Sequence, residues 1–119
     1  MQVEPRFGAG EVRLSIGSQK GLTLPSFAGE FGHVFHLFVV RLKDRERVRA
    51  ALKEQGIDTG VHYPTALPNL AAYKYLGHTP ADFPNASAFE SQLMSLPMFA
   101  ELTNEQIDHV ASCLAKAVS

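Results

Sequence analysis

Residues 33–42 read His-Val-Phe-His-Leu-Phe-Val-Val-Arg-Leu, a concentration of aromatic and β-branched side chains that predicts a strand. Alternation puts Val34, Phe38, Val40 and Leu42 on one side and Phe35, Leu37 and Val39 on the other. Both faces therefore ask for apolar cover. A two-layer domain covers one face with its own helices, so the pattern assigns the second to something beyond this chain, a missing domain or a partner copy. Next, Asp44 offers an N-cap, Val48, Ala51 and Leu52 share a face, and Gly56 stands as a C-terminal cap, which predicts a helix over 45–55. Residues 57–63 read as a short strand stopped by Pro64, and 65–68 as a loop.

Asn69 is placed to cap a short helix over 70–76 that ends at Gly77. Pro84 suits a first helical turn, and Ala86, Phe89 and Leu93 recur at helical spacing up to Met94, before Leu96 and Pro97 break the pattern. The final helix has the fullest set of signals. Thr103 and Gln106 are spaced as a capping box, Leu102 and Ile107 as a hydrophobic staple, and Ile107, Val110, Ala111, Leu114 and Val118 form a stripe. Residues 1–32 are rich in glycine, with Pro5 and Pro25, and read as loops with at most a strand over 11–16. The order of elements predicts an α/β (α+β) fold: a small two-layer domain over 21–119, with a short, mainly antiparallel sheet and about four helices, preceded by an arm over 1–20.

Composition agrees with a single soluble core, since 45% of the 119 residues are hydrophobic and 19% charged. A net charge of −1 supplies no field to gather nucleic acid or an anionic membrane, so neither is expected as a partner. The basic run Arg41, Lys43, Arg45, Arg47 and Arg49 is interrupted by Asp44 and Glu46 and reads as a solvated helix start rather than a phosphate site. One cysteine, Cys113, excludes an internal disulfide and fits a reducing compartment. Residues 1–10 lack the apolar run of a secretory signal, and the cytoplasm is the expected location.

Few residues offer chemistry. His33 and His36 are three apart on one strand, so they point to opposite faces and cannot share a metal, and no metal site is expected. Cys113 borders the apolar stripe of the last helix and reads as a packing residue. The lysines, Lys20, Lys43, Lys53, Lys74 and Lys116, fall in loops or on polar helix faces, whereas a Schiff-base lysine must be desolvated or crowded by other cations. Thr59-Gly60-Val61-His62-Tyr63-Pro64 is the place of interest. There a predicted strand stops sharply with an imidazole beside a phenol, and strand ends are where α/β folds present groups to ligands. A capped, purely structural strand end is the other reading of these residues.

The run of signals continues through Ala72-Tyr73, Asp82-Phe83-Pro84-Asn85-Ala86, Ser95-Leu96-Pro97-Met98-Phe99 and Leu102-Thr103. Together with Val-His-Tyr-Pro, in this order and spacing, it resembles the C-terminal domain of the DegT/DnrJ/StrS family of sugar aminotransferases, over residues 21–118. The resemblance implies a parent enzyme whose large domain binds pyridoxal phosphate through a lysine. The small C-terminal domain would close over the site, and the enzyme would work as a homodimer that moves an amino group from a donor such as glutamate to a nucleotide-linked keto sugar. It implies that His62 and Tyr63 contact substrate at the mouth of that site. Pro68 and Leu70 stand where such proteins usually carry a histidine and a glutamine. The lysine, the phosphate cup and the aspartate on the pyridinium nitrogen belong to the large domain, so no catalytic residue and no cofactor site are expected in this chain alone.

These readings lead to three expectations. The chain is a truncated, non-catalytic C-terminal domain of such an enzyme, or a free-standing interaction module, or one half of a split aminotransferase whose large domain sits on another chain. Self-association through the face of the strand at 33–42 is the expected partner contact.

Overall fold

In the computed structural model, residues 16–26 and 35–119 are described. The expected strand at 11–16 lies outside this set except for Ile16. Strand β1 is Leu22–Thr23, β2 is Phe38–Leu42 and β3 is Leu93–Leu96. Helix α1 is Arg45–Glu54, α2 is Pro84–Phe89 and α3 is Asn104–Val118, and three short 3-10 turns, Leu67–Asn69, Ala71–Leu76 and Pro80–Asp82, separate α1 from α2. The strands form one antiparallel sheet in the order β1-β2-β3, with Leu22 opposite Leu42, Phe38 opposite Leu96 and Val40 opposite Met94. The expected α/β fold with a small antiparallel sheet is the one observed.

That register sends Phe38, Val40, Leu42, Met94 and Leu96 to one face of the sheet. There they join Val48 and Leu52 of α1, Ile107, Val110, Ala111 and Leu114 of α3, and Ile16 and Ile57 in one buried cluster. Each fully buried side chain of this kind contributes about 1.5–3 kcal/mol relative to exposure. Helix α3 begins as its sequence predicts: Thr103 Oγ1 accepts the Gln106 amide at 3.2 Å, and Gln106 Oε1 accepts the Thr103 amide at 3.0 Å.

Several expectations are corrected. The strand placed at 33–42 starts at Phe38: Phe35 has φ 48°, which breaks the alternation and lets its ring stack on Phe38 at 5.9 Å. Phe35 thus packs against the core cluster instead of sharing a face with Leu37 and Val39. The strand expected at 57–63 shrinks to a single bridge, Gly60 to Ser95. Ile57 is drawn back by its amide bond to the Leu52 carbonyl, and only Gly60 reaches the ladder before the chain turns off.

The short helix over 70–76 is a 3-10 run whose six residues are all exposed. Asn69 does not cap it, because its side chain is engaged elsewhere. The helix expected to reach Met94 ends at Phe89, and Leu93 and Met94 belong to β3. A run of four residues rich in apolar side chains fits either period, and pairing with β2 decides between them.

Asp44 precedes α1 as expected but in the left-handed region, φ 53°, with no side-chain capping bond. The arginines of the basic run are not simply solvated. Arg45 donates to the carbonyls of Glu90 and Leu93 at 2.8 and 3.2 Å, Arg47 to that of Ala117 at 3.0 Å, and Arg49 to that of Thr59 at 3.3 Å. Each ties α1 to another part of the chain, using the several N–H donors that a guanidinium presents. The second face of the sheet, carrying Val39, Arg41, Leu93 and Ser95, is covered in part by this chain itself. Phe89 lies 3.9 Å beneath the Arg41 guanidinium and His62 bonds to Ser95. Leu37 and Val39 are left half-buried.

Candidate functional site

The approach to His62 is built from α1. Arg49, paired with Glu46 at 3.3 Å, donates through Nε to Thr59 Oγ1 at 3.0 Å and fixes the residue before Gly60. Gly60 then exchanges two backbone bonds with Ser95, its amide to the Ser95 carbonyl at 3.0 Å and the Ser95 amide to its carbonyl at 2.8 Å. A Cβ added at Gly60 would fall 2.6 Å from His62 Cε1, so the imidazole lies against the glycine and leaves no room for a side chain there. On its other flank the ring places Nδ1 2.8 Å from Ser95 Oγ. Ser95 is the buried polar residue of the described set, at 4% exposure.

The His62–Tyr63 peptide is cis, and the Tyr63 ring meets the imidazole edge-on at 5.5 Å. The phenol itself is 72% exposed. The structure therefore sets the two sequence-predicted site residues side by side, one pinned to the sheet and one projecting into solvent.

Beyond Pro64 the chain is held by contacts that the sequence did not single out. Glu90 Oε2 accepts the Ala66 amide at 2.7 Å and Asn69 Nδ2 at 3.2 Å. The Ala66 amide first and Asn69 second hold this carboxyl below the ordinary range, against a smaller upward push from desolvation. Asn69 Nδ2 also reaches Ser87 Oγ at 3.1 Å, the Ser87 hydroxyl donates to the Pro80 carbonyl at 2.8 Å, and the His78 ring bonds the Pro68 carbonyl. These contacts join residues 10 to 24 positions apart, or only 7 for Ser87 and Pro80, and no local motif announces them. The loop so fixed exposes Tyr63, Leu67, Tyr75 and Leu76, each more than half in solvent.

The other chemical candidates do not gather into a site among the described residues. His36 is exposed, His33 lies outside the described residues, and no three His, Cys, Asp or Glu side chains among those described could hold a metal ion. Cys113 packs against the core cluster, with Sγ 3.8 Å from His109 Nδ1, while His109 Nε2 bonds the Gln55 carbonyl. All five lysines, at 20, 43, 53, 74 and 116, are exposed. A lysine that holds pyridoxal phosphate as an imine must be desolvated or crowded by other cations, so the described residues do not fit that cofactor on this chain alone. Among the described residues no helix is long and apolar enough to cross a membrane.

A small antiparallel sheet is thus backed by two helices, with a His-Tyr pair at the sheet margin. The profile of the DegT/DnrJ/EryC1/StrS aminotransferase family matches residues 15–115, and the chain belongs to that family. It is 36% identical over 94 residues to the erythromycin biosynthesis sensory transduction protein EryC1 of Saccharopolyspora erythraea, covering 79% of this chain and 26% of that protein. It is 34% identical over 91 residues to the dTDP-3-amino-3,6-dideoxy-alpha-D-galactopyranose transaminase of Aneurinibacillus thermoaerophilus, covering 76% of this chain and 24% of that one. Among solved structures, DesV of S. venezuelae in complex with a ketimine intermediate superimposes with a TM-score of 0.86 at 30% identity, over 95% of this chain and 30% of DesV. The chain thus spans 24–30% of the length of these relatives.

Proposed function

We propose that this chain acts as the small C-terminal domain of a pyridoxal-phosphate-dependent sugar-nucleotide aminotransferase, non-catalytic by itself. In this reading the cofactor and its lysine come from a large domain, and His62 and Tyr63 face the sugar nucleotide. Membership of the family supports the reaction class, and the match to about a quarter of each curated relative supports a partial role. The observation that carries the reading is the contrast between five exposed lysines and an imidazole pinned to the sheet with the Tyr63 phenol beside it in solvent. The imidazole and the phenol can orient a polyhydroxylated, phosphorylated ligand by hydrogen bonds, and neither needs to exchange a proton to do so. The cytoplasm, where the free thiol of Cys113 stays reduced, is the compartment that suits this work.

A chimera tests the reading, with residues 21–119 replacing the matching C-terminal part of the Aneurinibacillus transaminase. His62→Ala or Tyr63→Phe in that chimera should raise KM for the nucleotide sugar about tenfold, the equivalent of one lost hydrogen bond of about 1.4 kcal/mol, with cofactor absorbance unchanged. An unaltered KM in both variants refutes substrate contact. For the isolated chain, pyridoxal phosphate followed by borohydride should leave no stoichiometric adduct on any one lysine.

A second reading concerns partners, and the exposed side chains of Tyr63, Leu67, Tyr75 and Leu76 favour it. They suit docking against a large aminotransferase domain, whether in another chain or in a longer form of this one. Self-association through the half-buried Leu37 and Val39 is the competing contact, and sedimentation of the chain with Leu37→Glu separates the two.

A further inference from the structure

We propose that Ser95 is the positioning residue of His62. Its buried hydroxyl donates to Nδ1, fixes the neutral imidazole with its proton on Nε2, and so makes Nε2–H the hydrogen-bond donor that the site presents. The inference deepens the reading of His62 as a ligand-facing group and rests on it.

Ser95 carries three polar groups, a backbone N–H, a backbone C=O and a side-chain hydroxyl. Its backbone N–H and C=O are both engaged by Gly60. Only the hydroxyl remains, in a residue that is 4% exposed, and the partner it has is His62 Nδ1 at 2.8 Å. A buried O–H proton left without an acceptor costs about 1–3 kcal/mol, whereas an unfilled oxygen lone pair is tolerated more readily. If Nδ1 carried the proton it would donate to Ser95 Oγ and leave the hydroxyl proton stranded. If Nδ1 is bare, the hydroxyl donates to it and every proton in the pair has an acceptor.

The second arrangement wins, and the ring proton then sits on Nε2, which has no hydrogen-bond partner among the described residues. Gly60 supports the same pose from the other side, since the 2.6 Å separation between its virtual Cβ and Cε1 shows a slot that only glycine leaves open. Ring position and tautomer are thus both set by residues of one β-bridge.

The test is a two-bond proton–nitrogen correlation spectrum of the full chain labelled with nitrogen-15 in histidine, recorded at about pH 8, above the ordinary imidazole range. The wild-type His62 should show a single tautomer, with bare Nδ1 and protonated Nε2. Ser95→Ala should move both nitrogen shifts toward the averaged pattern of a histidine that exchanges tautomers, and Ser95→Thr should restore the single form. Gly60→Ala should give the averaged pattern although the hydroxyl is still present. Unchanged methyl signals from Val40 and Leu114 would show that each variant is folded.

A wild-type ring protonated on Nδ1, or already averaged, overturns the inference even if no variant folds. So does a folded Ser95→Ala chain with the wild-type spectrum. Those outcomes leave the substrate reading standing, whereas a chimera indifferent to His62→Ala removes that reading and leaves the tautomer in place.

Discussion

Helix α3 and the segment from Gly60 to Glu90 are stabilised in opposite ways. The helix presents Ile107, Val110, Ala111 and Leu114 to a buried cluster and starts on a capping box whose partners are three residues apart. The segment has few buried side chains and turns large apolar groups outward. It is held by polar ties that cross the chain, Glu90 to Ala66 over 24 positions, His62 to Ser95 over 33 and Arg45 to Glu90 over 45. Burial is cheap to encode locally because a stripe needs only period and size. A polar framework needs particular donors to meet particular acceptors, and it leaves apolar side chains free to face a ligand or partner.

The comparison is broken most severely at the core. Leu114, fully buried in α3, should cost about 2–5 kcal/mol when replaced by alanine, read as a fall in the denaturant midpoint of the whole chain. A loss below 1 kcal/mol would mean that α3 is not integral to the core.

Arg45→Met keeps the aliphatic stem and removes the donors that hold the Glu90 and Leu93 carbonyls. The expected loss is about 1–3 kcal/mol, with amide exchange faster over residues 62–90 than in α3. Equal acceleration in both regions would show that the two are one cooperative unit. Thr103→Ala removes one arm of the capping box and should cost about 1 kcal/mol, with no change in exchange near Glu90.

The smallest effect concerns acid. Glu90 is held below its ordinary range in the folded chain, so the native state binds fewer protons than the unfolded state between the two values. Its contribution is fully present above the unfolded value of about 4.3 and fades as pH falls through the lower folded value. Glu90→Gln should flatten the stability profile below about pH 5, and parallel profiles for the two proteins would refute the assignment.

The same contrast explains what could be read in advance. Thr103, Gln106 and the stripe behind them define α3 because every signal lies within one or two turns. The central strand was legible from Phe38 onward, and His62 with Tyr63 stood out as an imidazole and a phenol before a proline. Leu93 and Met94 read as the end of a helix because Leu93 continues the spacing of Ala86 and Phe89, and only the ladder with β2 overrides it. Glu90 carries no signal in the sequence, Asn69 reads there only as a helix cap, and Ser95 only as the first residue of a family motif. A serine on a strand or a glutamate at a helix end is unremarkable until its partner, dozens of residues away, is known.

The exposed 3-10 run Ala71–Leu76 has a consequence for how such a domain can change over generations. Both of its ends are anchored, by Asn69 on one side and by the Thr79 to Asp82 capping pair on the other, while its own side chains face solvent. Lengthening a loop between fixed ends is inexpensive, since a doubling adds only about 0.6 kcal/mol of closure entropy. Residues can therefore be inserted there without disturbing the core.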